Sequence, residues 1–141
     1  SDGGNTALCF AAKYPELVDR LIVWGANLYP SGVKNIAMIP IRILRKIVDL
    51  FSKIDIRAKL HSEKLALVTN EPYISETELE NIHARTLILG GTHDIIKTEH
   101  TRLISRCIPK AKLCLIPGGH FISSRKPKIF NKAVLNFLEE K

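Results

Sequence analysis

Three short runs constrain this chain more than anything else in it. They are Leu21-Ile22-Val23-Trp24, Thr86-Leu87-Ile88-Leu89 and Leu113-Cys114-Leu115-Ile116, and each is soon followed by glycine, at Gly25, Gly90-Gly91 and Gly118-Gly119. A strand without polar alternation has both faces buried, which requires a parallel sheet covered by helices on both sides. Helical patterns separate the runs. Asn5 to Tyr14 gathers its apolar residues on one face and stops before Pro15. Lys97 to Ile108 places Leu103, Ile104 and Cys107 at helical spacing and stops before Pro109. Pro127 suits the first turn of a last helix that lines up Ile129, Phe130, Val134, Phe137 and Leu138. The order is helix, strand, insert, strand, helix, strand, helix, which is the α/β class.

Three such strands do not close a core. Strand 21–24 is left with an unpaired edge, and the first helix lacks the strand that should feed it. The expected architecture is therefore the C-terminal half of a larger α/β domain, with parallel strands flanked by helices and the N-terminal strands missing. Residues 1–141 are expected to form one domain, with residues 28–82 inserted in it as a helical cap. In that insert a helix is expected from Pro40, with Arg42, Arg45, Lys46 and Asp49 as a polar stripe and Ile41, Ile43, Leu44, Ile47, Val48 and Phe51 over the remaining surface. Its wide apolar face is expected to pack over the top of the sheet, with Arg42, Arg45 and Lys46 in solvent. An interfacial membrane helix is the less favoured alternative.

Composition narrows the function classes. With 141 residues and 45% apolar content the chain suits one folded domain. The net charge of +7 raises the question of a polyanion partner. The basic residues are dispersed, however, with no zinc-finger spacing and no aromatic RNA-binding motif, so nucleic acid is not an expected partner. No apolar run approaches a membrane span. The three cysteines, Cys9, Cys107 and Cys114, are odd in number and form no Cys-x-x-Cys. That pattern suits neither a disulfide framework nor structural zinc, and a reducing, cytoplasmic setting is the simplest. Cys9 and Cys114 are expected to be buried.

In open α/β sheets, reactive groups collect beyond the carboxyl ends of the strands. Those positions hold Asp94, in Gly90-Gly91-Thr92-His93-Asp94, and His120, in Pro117-Gly118-Gly119-His120-Phe121. Ser1, in Ser1-Asp2-Gly3-Gly4, stands before the first helix. A serine hydroxyl needs a base to take its proton, histidine is the natural base near neutral pH, and a carboxylate on the far ring nitrogen fixes the tautomer. Each residue also has a plainer role: Ser1 or Asp2 as a helix cap, Asp94 as a turn residue. His61, His83, His93 and His100 are not candidates for the base. Trp24 suits a core aromatic better than a pocket wall, and Asn27 suits a pocket wall and a turn cap equally.

By Ser1-x-Gly3, the Gly-x-x-Asp type ending at Asp94, and Gly118-Gly119-His120-Phe121, the sequence resembles the α/β-hydrolase family. Within it, the Ser-Asp-Gly-Gly opening, Ala11-Ala12-Lys13-Tyr14-Pro15 and Trp24-Gly25-Ala26-Asn27 resemble the valacyclovir hydrolase (biphenyl hydrolase-like) branch. Of the family's Gly-x-Ser-x-Gly elbow, the Ser-x-Gly half is present. The resemblance implies a serine hydrolase acting on a small ester or amide, with Ser1 as nucleophile, Asp94 as acid and His120 as base. The backbone N–H of Asp2 would serve in the oxyanion hole, and its carboxylate would meet a cationic group on the substrate. No cofactor or metal is implied. The isolated chain is expected to be inactive, because the second oxyanion donor lies in an earlier loop. A non-catalytic fragment or interaction module that keeps part of the fold is the alternative.

Overall fold

The computed structural model describes residues 1–52 and 54–140. Its elements are α1 (Asp2–Lys13), β1 (Arg20–Trp24), α2 (Asn35–Phe51), α3 (Ile56–Asn70), α4 (Glu76–Glu80), β2 (Arg85–Gly91), α5 (Thr98–Cys107), β3 (Ala111–Ile116), α6 (Ile122–Arg125) and α7 (Pro127–Glu139). The three strands pair in parallel in the order β1-β2-β3. Trp24 lies opposite Leu89, and Gly91 opposite Ile116. This register brings the three strand ends, and the loops that leave them, to one edge of the sheet.

Side chains alternate across the strands and feed two cores. Leu21, Val23 and Ile88 pack with Leu8 and Ala11 of α1 and with Ile104 of α5. Ile22, Leu87, Leu89, Cys114 and Ile116 pack with Ile122 of α6 and with Phe130, Val134 and Phe137 of α7. Helices therefore cover both faces, as continuous apolar strands require. The residues that join α4 to this frame, Ile74, Leu79 and Ile82, belong to the first core. A reciprocal capping box between Ser75 and Glu78 starts α4.

The insert departs from expectation in two respects. First, α2 begins at Asn35 and runs through Pro40. The Lys34 N–H donates to the Ile95 carbonyl at 2.8 Å, and Val33 bridges Ile96, so the chain enters the helix from a fixed point. Continuing past Pro40 forfeits the hydrogen bond its missing N–H would have made one turn back. Second, the apolar face of α2 is exposed and Arg45 is half-buried, whereas Arg42 and Lys46 are in solvent as expected. Arg45 turns inward to Thr69 and Asn70 of α3, donating to the Asn70 side chain at 2.9 Å. Its neighbour Asp49 accepts from Ser62 of α3 and lies 3.8 Å from Arg45 Nε. Ile36, Ile39, Ile43, Leu44, Ile47, Leu50 and Phe51 are exposed instead. The hydrogen-bonding partners on α3 decide which face of α2 points in. Cys9 is exposed and Cys114 half-buried, because Cys9 lies on the outer side of α1.

His100 is a buried link that was not expected. Its Nε2 accepts from the Leu28 N–H at 2.8 Å, tying α5 to the segment that leaves β1, and Tyr29 stacks edge-on against its ring. Burial, reinforced by the Lys97 charge and opposed by Glu76, holds the imidazole pKa below its ordinary value. The unfolded chain therefore takes up this proton more readily. The stability His100 contributes is present above about pH 6.5, the ordinary histidine value, and is lost as pH falls below it toward the folded value. Thermal unfolding followed from about pH 7 to about pH 5 should show a falling midpoint, and a shallower fall in His100→Gln. An equally steep fall in the variant would assign the dependence to another group.

Candidate active site

The loop after β2 carries Asp94, whose side chain is almost wholly buried. A carboxylate taken out of water must be matched by donors. The Ile96 N–H donates to Oδ1 at 3.1 Å, the Gly91 N–H donates to Oδ2 at 3.4 Å, and His120 Nδ1 lies 2.7 Å from Oδ1. Burial pushes the carboxyl pKa up, but the bonds from His120 and the two backbone amides, with the His120 charge, outweigh it and hold the pKa below its ordinary value. Folding gains from ionised Asp94 above about pH 3.9 and loses that contribution as pH falls from there toward the folded value.

His120 reaches Asp94 because the loops after β2 and β3 are tied together. The Thr92 N–H donates to the Ile116 carbonyl at 3.0 Å and the His93 N–H to the Gly118 carbonyl at 2.8 Å. A Cβ on Gly91 would lie 2.4 Å from the Gly118 oxygen, so the two backbones approach as closely as they do only with glycine there. With Nδ1 engaged by the carboxylate, Nε2 is the imidazole nitrogen left for a second partner.

Ser1 stands at the start of α1, and its backbone nitrogen lies 2.7 Å from the Trp24 carbonyl oxygen. Between Ser1 and His120 lies Gly25, with φ of 61°. A Cβ at Gly25 would lie 2.6 Å from His120 Cε1 and 3.5 Å from the Ser1 nitrogen. The Ser1 backbone and the His120 ring thus flank one small residue at the end of β1. Among the described residues, no hydrogen bond joins the Ser1 hydroxyl to His120. Nor does that hydroxyl cap α1. Asp2 is the first residue of α1 rather than a cap for a helix starting at Asn5. Its N–H is one of the amides that helix geometry leaves without an intrahelical acceptor.

Asn27 is buried and locked into a reciprocal pair with Asn5. Its N–H donates to Asn5 Oδ1 at 2.9 Å, and Asn5 Nδ2 donates to Asn27 Oδ1 at 3.2 Å. The pair fixes the loop after β1 against α1. Asn5 escaped the sequence reading, although an asparagine on the apolar face of an amphipathic helix is the pattern of a buried, bonded amide. Trp24 is partly exposed at the strand end, with Phe130 packed edge-on at 5.3 Å. It also lines a small recess with Ser1 and Gly4. A cavity of about 270 Å³ opens between the start of α1 and the end of α3, with Asp2, Asn5, Leu67, Val68, Glu71 and Pro72 among its walls. Asp2 and Glu71 give it two carboxylates. Among the described residues no group of three or more His, Cys, Asp or Glu side chains is placed to hold a metal ion.

A parallel sheet covered on both faces, with an acid loop and a histidine loop at adjoining strand ends and a helix starting beside them, is the arrangement of the α/β hydrolases. The whole chain superposes on an α/β-hydrolase enzyme from a Medee basin deep-sea metagenome library with a TM-score of 0.73 at 22% identity, covering 63% of that chain. It matches the enol-lactonase of Burkholderia xenovorans LB400 with a TM-score of 0.69 at 19% identity, over 99% of this chain and 64% of the other. In sequence, it is 27% identical to mouse serine hydrolase BPHL over 154 aligned positions, covering 99% of this chain and 53% of that protein. It is also 27% identical to the mouse sn-1-specific diacylglycerol lipase ABHD11, over 98% of this chain and 57% of that protein. No family model matches the chain. The chain has the α/β-hydrolase fold and resembles the BPHL branch, over a C-terminal-like portion. It spans about half the length of the curated relatives it matches.

Gly25→Ala should push the His120 ring off Asp94, since the added methyl occupies the ring's position. It should also lower stability by about 1–3 kcal/mol through overpacking and the positive φ. A crystal structure and a denaturant melt of the variant check both. An unmoved ring with its Asp94 bond intact would contradict this account of Gly25.

Proposed function

We propose that this chain supplies the catalytic residues of a serine hydrolase that cleaves a small ester or amide. Ser1 is the nucleophile, His120 the general base, and Asp94 the carboxylate that orients it. The observation that carries the proposal is the 2.7 Å pairing of His120 Nδ1 with the buried Asp94, beside the glycine that Ser1 also flanks. That pairing leaves Nε2 to take the proton of the Ser1 hydroxyl as it attacks the substrate carbonyl, and then to deliver it to the leaving group. Asp94 stabilises the imidazolium formed between the two steps. The Asp2 N–H, free at the first turn of α1, donates to the developing oxyanion. The helix 2–13 adds its positive end at the same place. The relatives, a serine hydrolase and a lipase, support the reaction class.

A second donor to the oxyanion is needed for full rate, since one donor is typically worth about 10²–10³. In this fold it comes from a loop after an earlier strand. The 141 residues by themselves are therefore expected to be inactive, and the activity proposed is that of the natural protein. Residues 28–82, with α2, α3 and α4, form the cap over the site.

The Asp2 carboxylate beside a developing oxyanion raises the barrier unless a positive charge meets it. A cationic group on the substrate, such as the α-amino group of an amino-acid ester, meets that need. The cavity that Asp2 and Glu71 share has room for it, and apolar walls at Leu67, Val68 and Pro72 for the remainder.

A fluorophosphonate probe should label the natural protein at Ser1, and Ser1→Ala should abolish labelling. Asp94→Asn should lower kcat by about 10⁴-fold with the fold intact. Labelling that survives Ser1→Ala would remove Ser1 from the reaction, and a protein that is folded yet inert to the probe would favour a non-catalytic role. For the substrate, Asp2→Ala should lower kcat/KM mainly for an ester bearing a free α-amine. An equal fall for the matched ester without the amine would leave Asp2 as a residue of the helix start only.

A further inference from the structure

We propose that Asn5 and Asn27 are positioning residues of the reaction: their pair sets where Ser1 and the Asp2 N–H stand relative to His120. The inference rests on Ser1 being the nucleophile of a serine hydrolase. Both asparagines are buried, each with 7% exposure. Asn5 comes four residues after Ser1, and it bonds in two directions. Its backbone N–H donates to the Ser1 carbonyl at 3.1 Å. Its side chain exchanges two bonds with Asn27, accepting from the Asn27 N–H at 2.9 Å and donating to Asn27 Oδ1 at 3.2 Å. One residue therefore holds both the nucleophile's backbone and the loop after β1.

That loop is also the one that meets the base. Gly25 lies against the His120 ring, and its N–H donates to the Leu89 carbonyl of β2 at 3.3 Å. Two residues later the same loop reaches the nucleophile's helix at Asn27. Asn27 is itself held, because its Nδ2 donates to the Tyr29 carbonyl at 3.0 Å. The path from Ser1 to His120 thus runs through Asn5, Asn27 and Gly25. Packing brings α1 close to β1 through Gly4, where a Cβ would lie 2.9 Å from Val23 Cγ1 and 3.3 Å from Ala26. A glycine contact gives nearness but sets no register. A reciprocal amide pair does, since its bonds depend on distance and angle together. Any slide of α1 along the sheet leaves buried amide groups without partners. Burial alone is served by an apolar residue, as at Leu8 and Ala11 on the same helix face. The amides at Asn5 and Asn27 add the register, and a nucleophile misplaced by about 1 Å loses about 100-fold in rate.

The test uses the natural protein with Asn5→Ala, Asn5→Leu, Asn27→Ala and the double alanine variant. Ile104→Val, in the core beneath α5, controls for lost stability. The rate of labelling by a fluorophosphonate probe should fall about 10- to 100-fold in each asparagine variant. Asn5→Leu fills the space without bonding, and should be slowed as much as Asn5→Ala. The double variant should fall no further than Asn27→Ala, because a single pair is lost in both. Hydrolysis of p-nitrophenyl acetate should lose kcat by the same factor with KM little changed. Ile104→Val should react as the parent does. Asparagine variants that label at the parental rate, or a slowing that Ile104→Val shares, would overturn the proposal. A parent that the probe leaves unlabelled would overturn the serine-hydrolase reading instead. A crystal structure of Asn5→Leu then decides the positioning role: Ser1 shifts from its place beside Gly25 if the pair sets it, and an unmoved Ser1 would overturn the inference.

Discussion

A buried carboxylate is expensive, and the upper edge of this fold is organised around satisfying one. Asp94 is taken almost entirely out of water, where an unmatched ionised group would cost several kcal/mol. Two backbone amides from its own loop, at Gly91 and Ile96, and the His120 ring from the next loop supply the match. Those bonds set the turn after β2, hold the loop after β3 against it, and choose which imidazole nitrogen faces outward. Gly91 and Gly25 then make sense as the points where other parts of the chain must come closer to this pair than a Cβ allows. Ser1 enters the same neighbourhood because α1 packs on the sheet through Leu8 and Ala11, while the Asn5–Asn27 pair pins the start of that helix to the end of β1.

The insert obeys a different rule. Its helices α2 and α3 pack on each other with few fully buried apolar side chains, and Met38 is the buried apolar residue of α2. Hydrogen bonds from Arg45 and Ser62 join the pair along one side. Such a pair can turn an apolar face outward, and here it does. The sheet domain, by contrast, is held by two continuous apolar cores. A sheet edge carrying the candidate chemistry, and a helical pair whose orientation depends on polar contacts, are the physical division of this chain.

The strands were legible in the sequence because each is apolar on both faces, and their ends fell within a residue or two of the runs at 21–24, 86–89 and 113–116. Asp94 and His120 were legible because glycines after a buried strand mark the sheet edge where side chains meet. The orientation of α2 was not. A helix this apolar reads as one that buries its apolar face, and only the partners of Arg45 on α3, Thr69 and Asn70, 24 and 25 residues away, show which side is bonded. Pro40 misled in the same way, because a proline suits a helix start and gives no sign that Val33 and Lys34 are anchored to Ile95 and Ile96. His100 and Asn5 are buried polar groups whose partners, Leu28 and Asn27, lie far away in the sequence. No local pattern announces such pairs.

The central claim is that Asp94 holds His120 by Nδ1 and leaves Nε2 free. Nuclear magnetic resonance of the histidine ring nitrogens measures this directly in the natural protein at neutral pH. The account predicts a His120 resonance pattern with the proton on Nδ1, far downfield through its bond to the carboxylate, and its loss in Asp94→Asn. A His120 ring protonated on Nε2, or a pattern unchanged by Asp94→Asn, would contradict it.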